Sequence, residues 1–99
     1  MTRPQVLLSA LADIEAAREW YEAQRPGLGD RFLDAVDSAV DSVAAFPSAY
    51  PIEYRKARRF LLEGFPYSLY YRVEDDAVAV VACMHAVRDP ARKRRRLRG

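Results

Sequence analysis

Ninety-nine residues, 51% hydrophobic and 30% charged, suit one folded domain and are too apolar for a disordered tail. No apolar stretch approaches the roughly 18 residues of a membrane span, and Met1-Thr2-Arg3-Pro4 does not open a secretory signal. The net charge of +2 hides a division, with four basic and nine acidic groups in residues 1–54 against twelve and five in residues 55–99.

In chain order, Gln5 to Leu8 reads as a short opening strand. From Ser9 the period becomes helical: Ala10, Ile14, Ala17 and Tyr21 recur on one stripe, widened by Leu11 and Trp20. This predicts a helix over Ser9–Gln24, with Ser9 as N-cap and Asp13 and Glu15 near the positive end of its dipole. Pro26-Gly27 ends it. A second helix over Leu28–Phe46 places Leu28, Phe32, Val36, Val40 and Val43 on one face, with Leu33 beside them. Asp30, Asp34, Asp37 and Asp41 lie on the other. Pro47 stops it by disfavouring helical geometry in the residue before it. The short Pro-Gly-Leu-Gly connection predicts an antiparallel helical hairpin.

After Pro51 the period changes to two. Ala57–Leu62, Tyr67–Glu74 and Ala77–His85 read as strands, joined by a four-residue loop at Glu63–Pro66 and a two-residue one at Asp75-Asp76. Those lengths set Val73 opposite Val78 and Tyr71 opposite Val80. They also set Leu69 between Phe60 and Ala82, and Tyr67 between Leu62 and Met84. Leu69, Tyr71, Val73, Val36 and Val40 are expected to be buried. The opposite face would carry Arg59, Ser68, Tyr70, Arg72, Val81, Cys83 and His85. The expected class is α+β: an N-terminal helical hairpin packed on a twisted antiparallel sheet in one domain over residues 1–90. Residues 91–99 form a basic C-terminal tail, expected to hold little regular structure.

Chemically informative residues are few. The aspartates of the second helix read as a solvated face. Cys83 has no second thiol and, with His85, cannot complete a four-ligand zinc site, so neither metal nor cofactor is expected. His85 has the one side chain with an ordinary pKa near neutrality. It can be read as a base for a ribose 2′-hydroxyl, or as a hydrogen-bonding anchor of the following turn, and the second reading is preferred because one histidine cannot be both acid and base in one step. Tyr50, Tyr54, Tyr67, Tyr70 and Tyr71 suggest stacking platforms, though tyrosines at strand centres usually serve packing. The run Arg92-Lys93-Arg94-Arg95-Arg96-Leu97-Arg98 suits an acidic partner or a phosphate backbone.

Several motifs occur together in order. They are Ala12-Asp13-Ile14-Glu15, Trp20-Tyr21, Pro26-Gly27-Leu28-Gly29, Arg31-Phe32-Leu33, Phe46-Pro47 with Tyr50-Pro51, and Arg58-Arg59-Phe60-Leu61. Phe65-Pro66-Tyr67 with Tyr70-Tyr71-Arg72-Val73, and His85-Ala86-Val87-Arg88-Asp89-Pro90, complete the series. In this order the chain resembles the RelE/ParE toxin superfamily from about Leu8 to Pro90, and most closely its ParE-like, plasmid-stabilisation branch. The resemblance implies a cytoplasmic toxin of a type II toxin–antitoxin pair, held inactive by a cognate, ParD-like antitoxin. ParE-like members poison DNA gyrase, whereas RelE-like members cut mRNA on the ribosome.

Ribosome-dependent members carry a basic residue where this chain has Phe65-Pro66-Tyr67-Ser68, and commonly a C-terminal tyrosine, where this chain has none after Tyr71. The resemblance therefore favours gyrase poisoning without a hydrolytic site. Target contacts are expected at Arg59, Arg72, His85, Arg88, Arg92, Lys93, Arg94, Arg95 and Arg96. Were the chain an RNase instead, Arg59, His85 and Arg88 would be the catalytic candidates.

Overall fold

The computed structural model describes residues 3–98. Strand β1 (Gln5–Val6) leads into helices α1 (Leu8–Gln24) and α2 (Leu28–Ala45). Strands β2 (Ile52–Tyr54), β3 (Ala57–Leu61), β4 (Tyr67–Glu74) and β5 (Ala77–His85) follow, and helix α3 (Pro90–Leu97) closes the chain. The sheet order is β1-β5-β4-β3-β2. β2 to β5 form an antiparallel meander, while β1 lies parallel to β5 at the edge.

The hairpin forms where the residue pattern places it. Ala10, Ile14 and Ala17 of α1 and Phe32, Val36, Ala39 and Val43 of α2 are buried against Leu69, Tyr71, Val78 and Val80 of the sheet. Gly27 takes the left-handed backbone (φ 89°) that turns one helix into the next. The Glu22 carboxylate caps α2 from outside, accepting Gly27 N–H at 3.0 Å and Gly29 N–H at 2.9 Å. Four rings tie both helices to the β3–β4 loop and to β4. Tyr21 stacks on Phe32 at 5.3 Å, Phe65 meets both edge-on at 4.9 and 5.2 Å, and Tyr67 meets Phe32 at 5.5 Å. Such pairs add about 0.5–1.5 kcal/mol each beyond area burial.

Two of the expected core residues sit less deeply than the pattern implied. Val73 is 37% exposed, because it lies beside the β4–β5 turn beyond the reach of the helices, and Val40 is only partly buried. Ser9 is not an N-cap. It lies within the first turn of α1, and its hydroxyl donates to Val81 O at 3.0 Å.

The expected register holds near the turn and fails beyond it. Val73 pairs with Val78 and Tyr71 with Val80 across the two-residue Asp75-Asp76 turn, but a bulge at Val81 then shifts the ladder. Leu69 therefore faces Cys83, not Ala82, and Tyr67 faces His85, not Met84. One extra residue exchanges the faces of everything after it. Cys83 joins the helix-side core, whereas Ala82 and Met84 join Tyr70, Ala57 and Val81 in a second apolar cluster on the far face.

Leu97 covers that second cluster. It is fully buried, and it brings α3 across the far face. The expectation of an unstructured tail is thus corrected: like charges repel one another, but here two of them are neutralised or anchored, and a cation from β4 holds the helix end. Arg96 donates to both carboxylate oxygens of Asp13 at 3.0 and 2.7 Å. The Lys93 ammonium donates to Ala86 O at 2.6 Å and lies 5.4 Å from the centre of the Tyr70 ring. Arg72 donates to Leu97 O at 2.7 Å, closing the negative end of the helix.

Candidate functional site: a cleft between α1 and the open edge of β5

β1 is only two residues long, so most of the outer edge of β5 has no strand beside it. α1 supplies the missing partners. After Leu7 N–H donates to Val80 O at 3.0 Å, Ser9 satisfies Val81 O and the Asp13 carboxylate accepts Cys83 N–H at 3.0 Å. Beyond Cys83, α1 and β5 part, and a cleft of about 530 Å³ opens between them. Asp13 and Trp20 line one wall, Tyr67 and His85 the other, and Arg88 and Arg92 the mouth.

His85 enters this cleft because of the bulge, which turns it to the α1 side beside Tyr67 (5.6 Å between ring centres). Its Nδ1 accepts the backbone N–H groups of Val87 and Arg88, each at 3.2 Å. The preferred reading of His85, an anchor of the turn into the C-terminal segment, thus holds. A ring that accepts at Nδ1 carries its proton on Nε2 when neutral. Partial burial, then the charges of Arg88 and Lys93, lower its pKa, so the neutral form prevails at pH 7. Toward the cleft His85 therefore presents a donor.

Two further groups of the cleft are held in their neutral forms at neutral pH. Burial, and then the Asp13 charge, push the Cys83 thiol up to about 12, which removes the thiolate that a nucleophile requires. Burial likewise raises Tyr21. Asp13 is committed to Cys83 and Arg96. The cleft offers an indole half exposed at 56%, two aromatic walls, cations and hydrogen-bond donors. This chemistry binds an anionic or aromatic-rich segment more readily than it breaks a bond.

The other sequence-predicted residues fall in three places. His85, Arg88 and Arg92 meet at the cleft. Arg72, Lys93 and Arg96 hold α3 to the sheet. Arg59 lies away from the cleft on β3, 3.5 Å from Glu53, and Arg94 and Arg95 face solvent on α3. Arg59 therefore does not share a site with His85. The aspartates of α2 are all exposed, and among the described residues no acidic, histidine and cysteine side chains group as metal ligands do. Two residues of the site were placed otherwise by pattern alone. Trp20 reads as part of the apolar stripe but sits on its flank, and Asp13 reads as a dipole partner but stitches three elements together.

Among the described residues no helix is long and apolar enough to cross a membrane. Comparison with known proteins places this architecture. A solved structure from P. aeruginosa, described as a chromosomal ParDE toxin–antitoxin system, superposes with a TM-score of 0.65 at 22% identity, over 86% of this chain and 96% of that one. Y4kP of Sinorhizobium fredii (strain NBRC 101917 / NGR234), whose name describes a candidate toxin, is 30% identical over 80 residues, 80% of this chain and 82% of its own. Residues 6–90 match the profile of the ParE toxin of the type II toxin–antitoxin system parDE, and the chain belongs to that family.

Proposed function

We propose that this toxin arrests bacterial growth by poisoning DNA gyrase, and that a cognate ParD-like antitoxin restrains it by covering the cleft and the basic surface beside it. One observation carries the choice of a binding poison over a ribosome-dependent mRNA endonuclease. The Nδ1 lone pair of His85 is taken up by the backbone N–H groups of Val87 and Arg88 in the exposed turn that follows it. Cleavage through a ribose 2′-hydroxyl requires a base aimed at substrate and an acid aimed at the leaving group. In this reading Arg59, His85, Arg88, Arg92, Arg94 and Arg95 face partners, while Arg72, Lys93 and Arg96 act by holding α3.

The test runs the purified chain in two assays. In the first it is added to gyrase and supercoiled plasmid, and in the second to ribosomes translating a defined mRNA. Trapped gyrase–DNA cleavage complexes with intact mRNA are expected. Cuts in the ribosomal A-site codon with gyrase unaffected would overturn the proposal and make His85 and Arg88 the first catalytic candidates.

A further inference from the structure

α3 sorts its charges by face. Lys93 and Arg96 turn inward and are partnered, and Arg92 lies 4.0 Å from Asp13. Arg94, Arg95 and Arg98 are exposed, and among the described residues none of them lies within ion-pairing distance of a carboxylate. Arg94 and Arg98 stand one turn apart on one line of the helix, with Arg95 alongside. Two further exposed cations, Arg55 and Lys56, form the β2–β3 turn, and among the described residues neither makes an ion pair with a carboxylate.

Tyr54 joins the two groups into one surface. The Arg55 guanidinium lies 5.4 Å from the centre of its ring. Tyr54 also packs against the apolar cluster that buries Leu97, which sets the β2–β3 turn beside the C-terminal end of α3. Arg55 also holds a left-handed backbone (φ 54°), a conformation unfavourable for a residue with a Cβ, at the tip where it meets solvent.

We propose that Arg94, Arg95 and Arg98 of α3, with Arg55 and Lys56 of the β2–β3 turn, form a docking surface for the phosphate backbone of duplex DNA. Charge alone would also suit an acidic protein, but the composition of the patch decides between them. Protein interfaces are anchored by buried apolar or aromatic side chains at their centre. The outward side of α3 offers Ala91 and arginines, and the one ring in the patch, Tyr54, is packed on the apolar cluster beneath and lies under the Arg55 guanidinium, so it is not free to anchor a partner. Guanidinium groups grip phosphate oxygens in pairs and need no apolar anchor. The assignment rests on the gyrase reading only for where such DNA is encountered, since a poison seated on gyrase meets the strand that gyrase holds.

Binding is therefore measured without gyrase, by anisotropy of a short fluorescein-labelled DNA duplex titrated with the 99-residue chain. Five phosphate contacts give a log–log salt slope of about −4 to −5 between roughly 50 and 200 mM salt. The triple variant Arg94→Gln/Arg95→Gln/Arg98→Gln keeps good helix formers on an exposed face. It should retain its circular dichroism and lower the slope to about −2, with affinity at least about tenfold weaker at low salt. Polyglutamate at equal charge should compete poorly. A folded triple variant with unchanged affinity and slope would overturn the assignment, as would absence of binding by the parent chain at about 50 mM salt. Competition by polyglutamate equal to that by DNA would move it to an acidic protein. Because gyrase is absent, failure here leaves the gyrase reading standing, and failure to poison gyrase leaves this surface standing.

Discussion

Replacing Asp13 by Ala removes one carboxylate and three connections. Cys83 is 2% exposed, so its N–H would lose its partner at 3.0 Å in a position that water reaches only from the cleft beside it. An orphaned buried donor costs about 1–3 kcal/mol. Arg96 would lose both charge-assisted bonds, but its side chain is 23% exposed, so water repays part of that loss and about 1 kcal/mol remains. The sum, about 2–4 kcal/mol, is a large share of the roughly 5–15 kcal/mol that stabilises a domain. It corresponds to a fall in Tm of roughly 10–25 °C at this chain length. Thermal unfolding gives the total, and hydrogen exchange at the Cys83 amide isolates the edge of the sheet. Asp13→Asn offers a second reading, because its carbonyl can still accept from Cys83 while its amide cannot pair with Arg96. It should restore Cys83 protection yet leave α3 loosened. An Asp13→Ala protein with parental Tm and parental protection at Cys83 would refute the claim that this carboxylate replaces the missing strand.

Further outcomes follow from the same geometry. Leu97→Ala should cost about 2–3 kcal/mol by opening a fully buried site, and deleting residues 92–99 should lower Tm further by exposing Tyr70 and Ala57, both read by thermal unfolding. Glu22 is held below its ordinary pKa of 4.5, chiefly by the Gly27 and then the Gly29 N–H groups. Its contribution is therefore present above that value and lost as pH falls through the lower folded value. The Tm difference between the parent and Glu22→Ala should shrink below about pH 4.5, as a pH series of melts would show. Cys83 should resist a thiol reagent at pH 8 in the native state and react at the rate of unfolding, because burial and Asp13 hold its pKa near 12.

Much of the architecture is determined locally and is therefore legible in the sequence. The 3.6-residue stripe of Ala10, Ile14 and Ala17, the Pro26-Gly27 stop and the two-residue turn at Asp75-Asp76 each act within a few residues. The helices, three main strands and the first rungs of the β4–β5 ladder accordingly lie where the pattern puts them. The candidate site is not local. Alternation along Ala77–His85 reads the same with or without an extra residue, and the bulge falls at Val81, whose own carbonyl accepts from the Ser9 hydroxyl, 72 residues earlier in the chain. That single displacement turns His85 and Cys83 toward the helices. The fate of the basic segment is likewise decided at a distance. Its composition alone predicts self-repulsion, but Asp13, Ala86 and Arg72 supply its partners, and the second apolar cluster receives Leu97. Periodicity records which face a residue prefers within its own element. Which of those faces meet, and which charges find a counter-charge across 83 residues, is decided only once the sheet has formed and α1 lies along its open edge.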